Sequence, residues 1–348
     1  MVIFRLIALT YCLKLVWTLG SVSSASDFPL LMPHVRPTEN ETYLCTAFRV
    51  ASRMHKYIVA FKPNATMHLV HHMLVYGCRT PGYREWDSPR VVWDCDEMST
   101  SRTPFPKGPI CQTGSQVIYG WARNAPPLQL PEGVGLKFGG NSGVNFLVIQ
   151  VHYADTTSFQ DGITRDSSGV VLSVVPGNDT GVKRRAGVYD FDTGGMIPAN
   201  SHGQLEAACR INENVTLHPF AFRVHTHALG KAVTGYVVRN GNWTNVGKHD
   251  PLEPQMFYPA KKGLTIVKGD ILAVRCTLKN FRNRDTYVGP TSEDEMCNFY
   301  MMYYTDGDKI LEDNLCYSKG SPTYYWKTDP MLKDHVTPEV DEDASTLD

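Results

Sequence analysis

The chain has 348 residues, 42% hydrophobic and 20% charged, with 34 basic against 35 acidic side chains. Such an apolar fraction excludes wholesale disorder, and near-neutral charge excludes the basic field that holds nucleic acid. The length suits one large domain or two of about 150 residues.

Residues 1–25, MVIFRLIALTYCLKLVWTLGSVSSA, have a basic start, an apolar stretch and small residues ending Ser23-Ser24-Ala25. That is the pattern of a secretory signal peptide cleaved after Ala25. Arg5 and Lys14 break the run short of the roughly 20 apolar residues of a membrane span. No later segment is long and apolar enough to cross a bilayer. The expected product is soluble, has no transmembrane anchor and no nucleic-acid partner, and resides in the secretory pathway lumen, in secretory granules or outside the cell. Cleavage removes Cys12 from the nine cysteines and leaves an even set: Cys45, Cys78, Cys95, Cys111, Cys209, Cys276, Cys297 and Cys316. In an oxidising compartment these pair by default, though spacing cannot choose among roughly a hundred pairings. Four lie in each half, which predicts two separately stapled domains. Sequons at Asn40, Asn64, Asn178, Asn214 and Asn242 fit glycosylation in the same compartment.

The periodicity along the rest of the chain is that of strands. Val144–Tyr153, Val170–Val175 and Ile271–Cys276 are short β-branched and apolar runs bounded by turn residues. Val233–Val238 leads into Asn240-Gly241, a hairpin signal. No long stretch has helical spacing. The fold class is therefore all-β: two consecutive antiparallel β-sandwich (jelly-roll-like) domains, each disulfide-stapled. The turn-rich segment 176–181 predicts domains at 26–178 and 179–328. The Lys183-Arg184-Arg185 run that follows reads as a solvated strand edge rather than a processing site. Residues 329–348 hold seven acids and one lysine, an acidic disordered tail.

Five of the twelve histidines cluster with a sulfur ligand. His71-His72 and His152 sit in apolar strand-like runs, where an unpaired imidazole is costly to bury. Adjacent strand residues face opposite ways, so His71 and His72 share an ion only through a bulge or through different ring nitrogens. In Arg223-Val224-His225-Thr226-His227 the strand period puts Arg223, His225 and His227 on one face. In Met296–Tyr300 it aligns Met296, Asn298 and Tyr300. If the two segments are neighbours, two imidazoles and a thioether converge, a donor set that favours copper. An adjacent Arg fork suits a carboxylate ligand. H-E-x-x-H, G-x-S-x-G and a dinucleotide glycine motif are all absent, and Cys297 points away from Met296.

HHMLVYGC at 71–78, YGWARNAPP at 119–127, QVHY at 150–153, RVHTHALGK at 223–231 and DEMCNFYMMYY at 294–304 closely resemble the peptidylglycine α-hydroxylating monooxygenases. These belong to the copper type II ascorbate-dependent monooxygenases, and the likeness runs from about residue 40 to 328. The resemblance implies two coppers, with ascorbate as reductant. His71, His72 and His152 would hold the electron-transfer copper. His225, His227 and Met296 would hold the copper that meets oxygen and substrate. Arg223, Asn298 and Tyr300 would grip the terminal glycine carboxylate of a glycine-extended peptide, with Gln150 near the substrate path. It also implies the pairs Cys45–Cys95, Cys78–Cys111, Cys209–Cys316 and Cys276–Cys297, and a solvent-filled cleft between the two metal sites. Ala228 stands where relatives often have a third histidine. No lyase domain follows, so the single-activity form is expected, with a separate lyase to finish amidation. A catecholamine-type monooxygenase and a non-enzymatic copper- or peptide-binding protein are the alternatives.

Overall fold

The computed structural model describes residues 25–83, 91–95 and 103–340. The expected signal peptide, apart from Ala25, lies outside the described residues. Seventeen principal strands carry the argument: β1 Ser26–Leu31, β2 Thr42–Arg49, β3 His55–Asn64, β4 His72–Cys78, β5 Val92–Asp94, β6 Gln116–Ala122, β7 Val134–Gly139, β8 Phe146–Tyr153 and β9 Gly169–Pro176; then β10 Arg184–Thr193, β11 Ser201–Arg210, β12 His218–His225, β13 Gly230–Arg239, β14 Asn242–His249, β15 Ile271–Asn280, β16 Asn298–Thr305 and β17 Leu315–Ser318. The expected runs all form strands. Asn240 (φ 51°) and Gly241 (φ 79°) make the two-residue turn between β13 and β14, both left-handed as a type I′ hairpin requires.

Two mostly antiparallel, β-rich domains result, each with internal disulfides. In the first, the five-stranded sheet β5-β2-β8-β4-β6 packs on β1-β9-β3-β7; in the second, the four-stranded sheet β11-β15-β13-β14 packs on β10-β16-β12. Among the described residues no sheet closes into a barrel or jelly roll. The two domains share a sheet. β7 and β10 pair in parallel, Val134 beside Arg184 and Leu136 beside Ala186, so a single sheet runs through both. The basic run therefore enters an interior strand instead of a free edge, with Arg184 on Asp306 at 3.1 Å and Arg185 donating to the Asp308 carbonyl.

Strict alternation along the strands decides where the site can lie. On β8, Leu147, Ile149, Val151 and Tyr153 enter the first core; on β4, Met73 and Val75 do. Gln150, His152, His72, Leu74 and Tyr76 are left on the opposite face. In the second domain Tyr189, Phe191, Phe222, Val224, Phe299 and Met301 enter the core between its sheets. Their alternates Asp190, Asp192, Arg223, His225, Asn298 and Tyr300 face the other way. The polar faces of the two domains are thus turned toward each other.

The four disulfides are Cys45–Cys95, Cys78–Cys111, Cys209–Cys316 and Cys276–Cys297. Such bonds form and persist in oxidising compartments. The segment from Asp329, expected to be a disordered tail, makes contacts with the second domain as far as Glu339. Trp326 and Leu332 are fully buried on the outer face of β11, β13 and β15, and Arg275 donates to the carbonyls of Pro338 and Glu339. The apolar residues spaced among the acids supply the anchor; residues 341–348 lie outside the described set.

Candidate metal centre and substrate cavity

The first histidine group is compact. β4 begins at His72, so His71 lies outside the strand and is free of its alternation. Neither a bulge nor different nitrogens are needed: His71 Nδ1 is 3.2 Å from His72 Nδ1, which is 3.4 Å from His152 Nδ1. β8 places His152 directly opposite His72. His152 Nε2 donates to Glu41 Oε2 at 2.7 Å, and its ring stacks on Tyr43 with centroids 4.0 Å apart. That carboxylate fixes the tautomer and leaves Nδ1 as a lone pair. Burial, reinforced by the His152 ring, pushes His71 down to about 4 and His72 well below its usual value, so both are neutral ligands at neutral pH. Three converging Nδ1 lone pairs cannot satisfy one another, and a soft divalent or monovalent cation fits them.

The second group lies where β12 ends and β16 begins. These strands are neighbours, with Arg223 opposite Tyr300 and His225 opposite Asn298. Gln255, buried in a loop thirty residues on, organises them. Its Nε2 donates to the carbonyls of Pro251 (2.8 Å) and Thr226 (3.2 Å), which turns Oε1 toward His225 Nδ1 at 2.7 Å and Arg223 at 3.3 Å. His225 therefore keeps Nε2 free. His227 Nδ1 donates to the Asp294 carbonyl at 3.2 Å, and its Nε2 is buried with no partner among the described residues. A buried imidazole nitrogen with no protein partner has the chemistry of a metal ligand. Burial holds His227 at about 4 and His225 well below its usual value. Glu295, 0% exposed, accepts the backbone N–H groups of His227, Leu229 (2.8 Å) and Met296 (2.7 Å), tying the His-x-His loop to the methionine loop.

A cavity of about 390 Å³ joins these parts. His72, Gln150, Arg223, His225, Met296, Asn298 and Tyr300 all line it, together with Asp190 and Asp192. Arg223 is 1% exposed, its guanidinium 5.1 Å from the Tyr300 ring centroid and its Nε donating to the Gln255 carbonyl at 2.9 Å. Asn298 donates to Asp192. At one side of this cavity the two histidine groups come close, the His72 and His225 rings lying 5.4 Å apart. Glu41 spans the junction, accepting from the Ser292 N–H at 3.3 Å as well as from His152.

Sequence reasoning missed Glu41, Gln255, Glu295 and the aspartate pair. Glu295 had a signal, an acid beside Met296 ahead of an apolar strand. Asp190 and Asp192 had one too, since Tyr189-Asp190-Phe191-Asp192 alternates core and polar faces. For Gln255 and Glu41 no local pattern exists.

The fold and site define a β protein with a three-imidazole cluster, consistent with copper binding, beside a cavity lined by Arg223, His225 and Met296. The models of the copper type II ascorbate-dependent monooxygenase N-terminal and C-terminal domains match residues 28–160 and 184–329, and the chain belongs to that family. It is 40% identical over 86% of its length to peptidyl-glycine alpha-amidating monooxygenase A of Xenopus laevis, and 39% over 88% to the peptidylglycine alpha-amidating monooxygenase of Rattus norvegicus. It spans 30% of the length of each of these two relatives. Human dopamine beta-hydroxylase is 28% identical over 81% of the chain and 46% of its own length.

Proposed function

We propose that the chain is a copper- and ascorbate-dependent monooxygenase that hydroxylates the α-carbon of the C-terminal glycine in glycine-extended peptides, the first step of carboxy-terminal amidation. In the net reaction one atom of O2 enters the glycine Cα–H bond. The other leaves as water, with two electrons and two protons supplied through ascorbate. A separate lyase would then cleave the hydroxyglycine product.

The observation that carries this reading is the cavity itself, which sets a buried guanidinium beside His225 and Met296. Arg223 would take the terminal carboxylate as a charge-assisted fork, with Tyr300 and Asn298 closing on it and Gln150 on the opposite wall. An amidated or esterified terminus would leave Arg223 unpaired, which gives the selectivity. Gln255 orients both Arg223 and His225, so the carboxylate grip and the ligand ring move as one unit. His71, His72 and His152 would hold the electron-transfer copper, and His225, His227 and Met296 the copper nearest substrate. When bound, copper supplies the one-electron and dioxygen chemistry that no side chain here can perform.

In this reading residues 26–178 and 179–328 form sandwich domains carrying one copper each. The chain works in the lumen of the secretory pathway, in secretory granules or after secretion. The sequon residues Asn40, Asn64, Asn178, Asn214 and Asn242, all exposed, support glycosylation there. Incubated with copper, ascorbate and a glycine-extended peptide, the protein should add one oxygen to the peptide by mass spectrometry. Hydroxylation of phenethylamines instead would overturn the assignment. Metal analysis should find two coppers per chain; one or none sinks the two-site model.

A further inference from the structure

The sheet that carries Arg223, His225 and the two aspartates to the cavity is laid out in rows across β12, β16, β10 and β17. One row reads Arg223, Tyr300, Asp190, Leu315; the next reads His225, Asn298, Asp192, Tyr317. Residues directly opposite one another share a sheet face, so each row is a continuous track. Both tracks run from a buried end to an open one. Arg223 is 1% exposed, whereas Leu315 and Tyr317 are 47% and 61% exposed. A chain whose carboxylate sits at Arg223 and which follows these rows toward solvent passes over the two aspartates.

Asp190 is 8% exposed, and its Oδ1 has no hydrogen-bond partner among the described residues, although it lines the cavity. Asp192 is partly satisfied by Asn298. Among the described residues that line the cavity, Arg223 is the single Arg or Lys. Once a ligand carboxylate occupies Arg223, the aspartates lose that counter-charge, and a buried carboxylate without one is costly. Burial and mutual repulsion already push Asp190 well up, and burial pushes Asp192 to about 6. Any cation brought by the ligand relieves this. A cation at His225 lies in the Asn298 row and leaves Asp190, in the Tyr300 row, without a partner.

We propose that Asp190, reinforced by Asp192, is a subsite for a cationic side chain on the residue preceding the terminal glycine, so that peptides ending in Lys-Gly or Arg-Gly are preferred. Asp190 lies two strand spacings from Arg223, about 10 Å, a gap that an extended lysine or arginine on the preceding residue spans. The Tyr317 ring at the mouth adds a face over which such a cation can pass. This subsite rests on the peptide-hydroxylating reading above.

The test uses the copper-loaded protein with ascorbate and three N-acetylated pentapeptides. These differ only before the glycine, which follows lysine, norleucine or glutamate. Acetylation removes the α-amine, so the side chain is the sole cation. The lysine peptide should exceed norleucine by about tenfold in kcat/KM, with glutamate lowest. Calorimetric titration of the copper-free protein should give the same order of binding. Asp190→Asn should bring the lysine-to-norleucine ratio within about twofold, and Asp192→Asn should reduce it partway. Equal use of lysine and norleucine by the unmodified protein overturns the subsite, as does a preference that survives Asp190→Asn. Should Asp190→Asn fail to fold, the unmodified protein's series and Asp192→Asn decide it. If none of the three peptides is hydroxylated while phenethylamines are, the functional reading fails instead.

Discussion

At the scale of single residues, the site is organised by side chains outside the expected ligand set. Gln255 holds two donors and two acceptors at once, and it sets which nitrogen His225 presents. Gln255→Leu leaves Arg223 and His225 without that acceptor. Copper affinity at the proposed His225 site should fall about 10–100-fold while the His71 site is unaffected, as read by titration against a competing chelator. Met296→Ile preserves volume but removes the sulfur. Turnover should vanish with one copper per chain retained at the His71 group; full activity in that variant would show that Met296 has no part in the site.

At the scale of elements, alternation does the sorting and a few ties hold it. Between β13 and the turn before β15, Asp270 accepts from Arg239 at 2.7 and 2.6 Å and from the Val267 N–H at 2.8 Å. Burial alone would raise its carboxyl, but the guanidinium fork and the backbone donor hold it below the usual aspartate range. A depressed folded value means the unfolded chain binds more protons in acid. The contribution is therefore complete above the unfolded pKa of about 4 and lost as pH falls through the lower folded value. Asp270→Asn should cost about 2 kcal/mol at neutral pH, and the difference from the unmodified protein should shrink in acid, measured by urea unfolding at pH 7 and pH 3. Glycines make the close packing of the second domain possible: a side chain at Gly235 or Gly247 would strike the rings of Phe299 or Phe222, which lie between the sheets.

At the scale of the whole molecule, the two domains share more than a linker. The parallel β7–β10 pair makes one sheet of two, and the first core includes Ala186, Val188, Ala221, Phe257, Tyr300 and Met302 from the second half. Residues 26–178 expressed alone should thus expose apolar surface, bind a hydrophobic dye and show poorly dispersed amide resonances. The whole chain should unfold in a single thermal transition. A well-folded fragment would mean the shared sheet contributes little.

Much of this was legible in the residues. Period-two hydrophobicity gave the strands, and Asn240-Gly241 marked its hairpin, because those signals are local and steric. Arg223 and His225, with Asn298 and Tyr300, could be grouped by face before any neighbour was known, whereas His227 and Met296 lie just beyond the strand ends. What the sequence could not contain was distance across the fold. That His71 escapes the strand's alternation depends on where β4 starts. That Gln255 and Glu41 reach the histidines depends on loops of no regular pattern, and the docking of the segment after Asp329 depends on a sheet face formed elsewhere. By itself the sequence determined which side chains face away from the cores, since alternation is a property of the backbone. Only the tertiary structure decided that the two polar faces close on each other, bringing His72 to His225 and placing Asp190 between a buried arginine and open solvent, because such meetings come from packing between residues far apart in the chain.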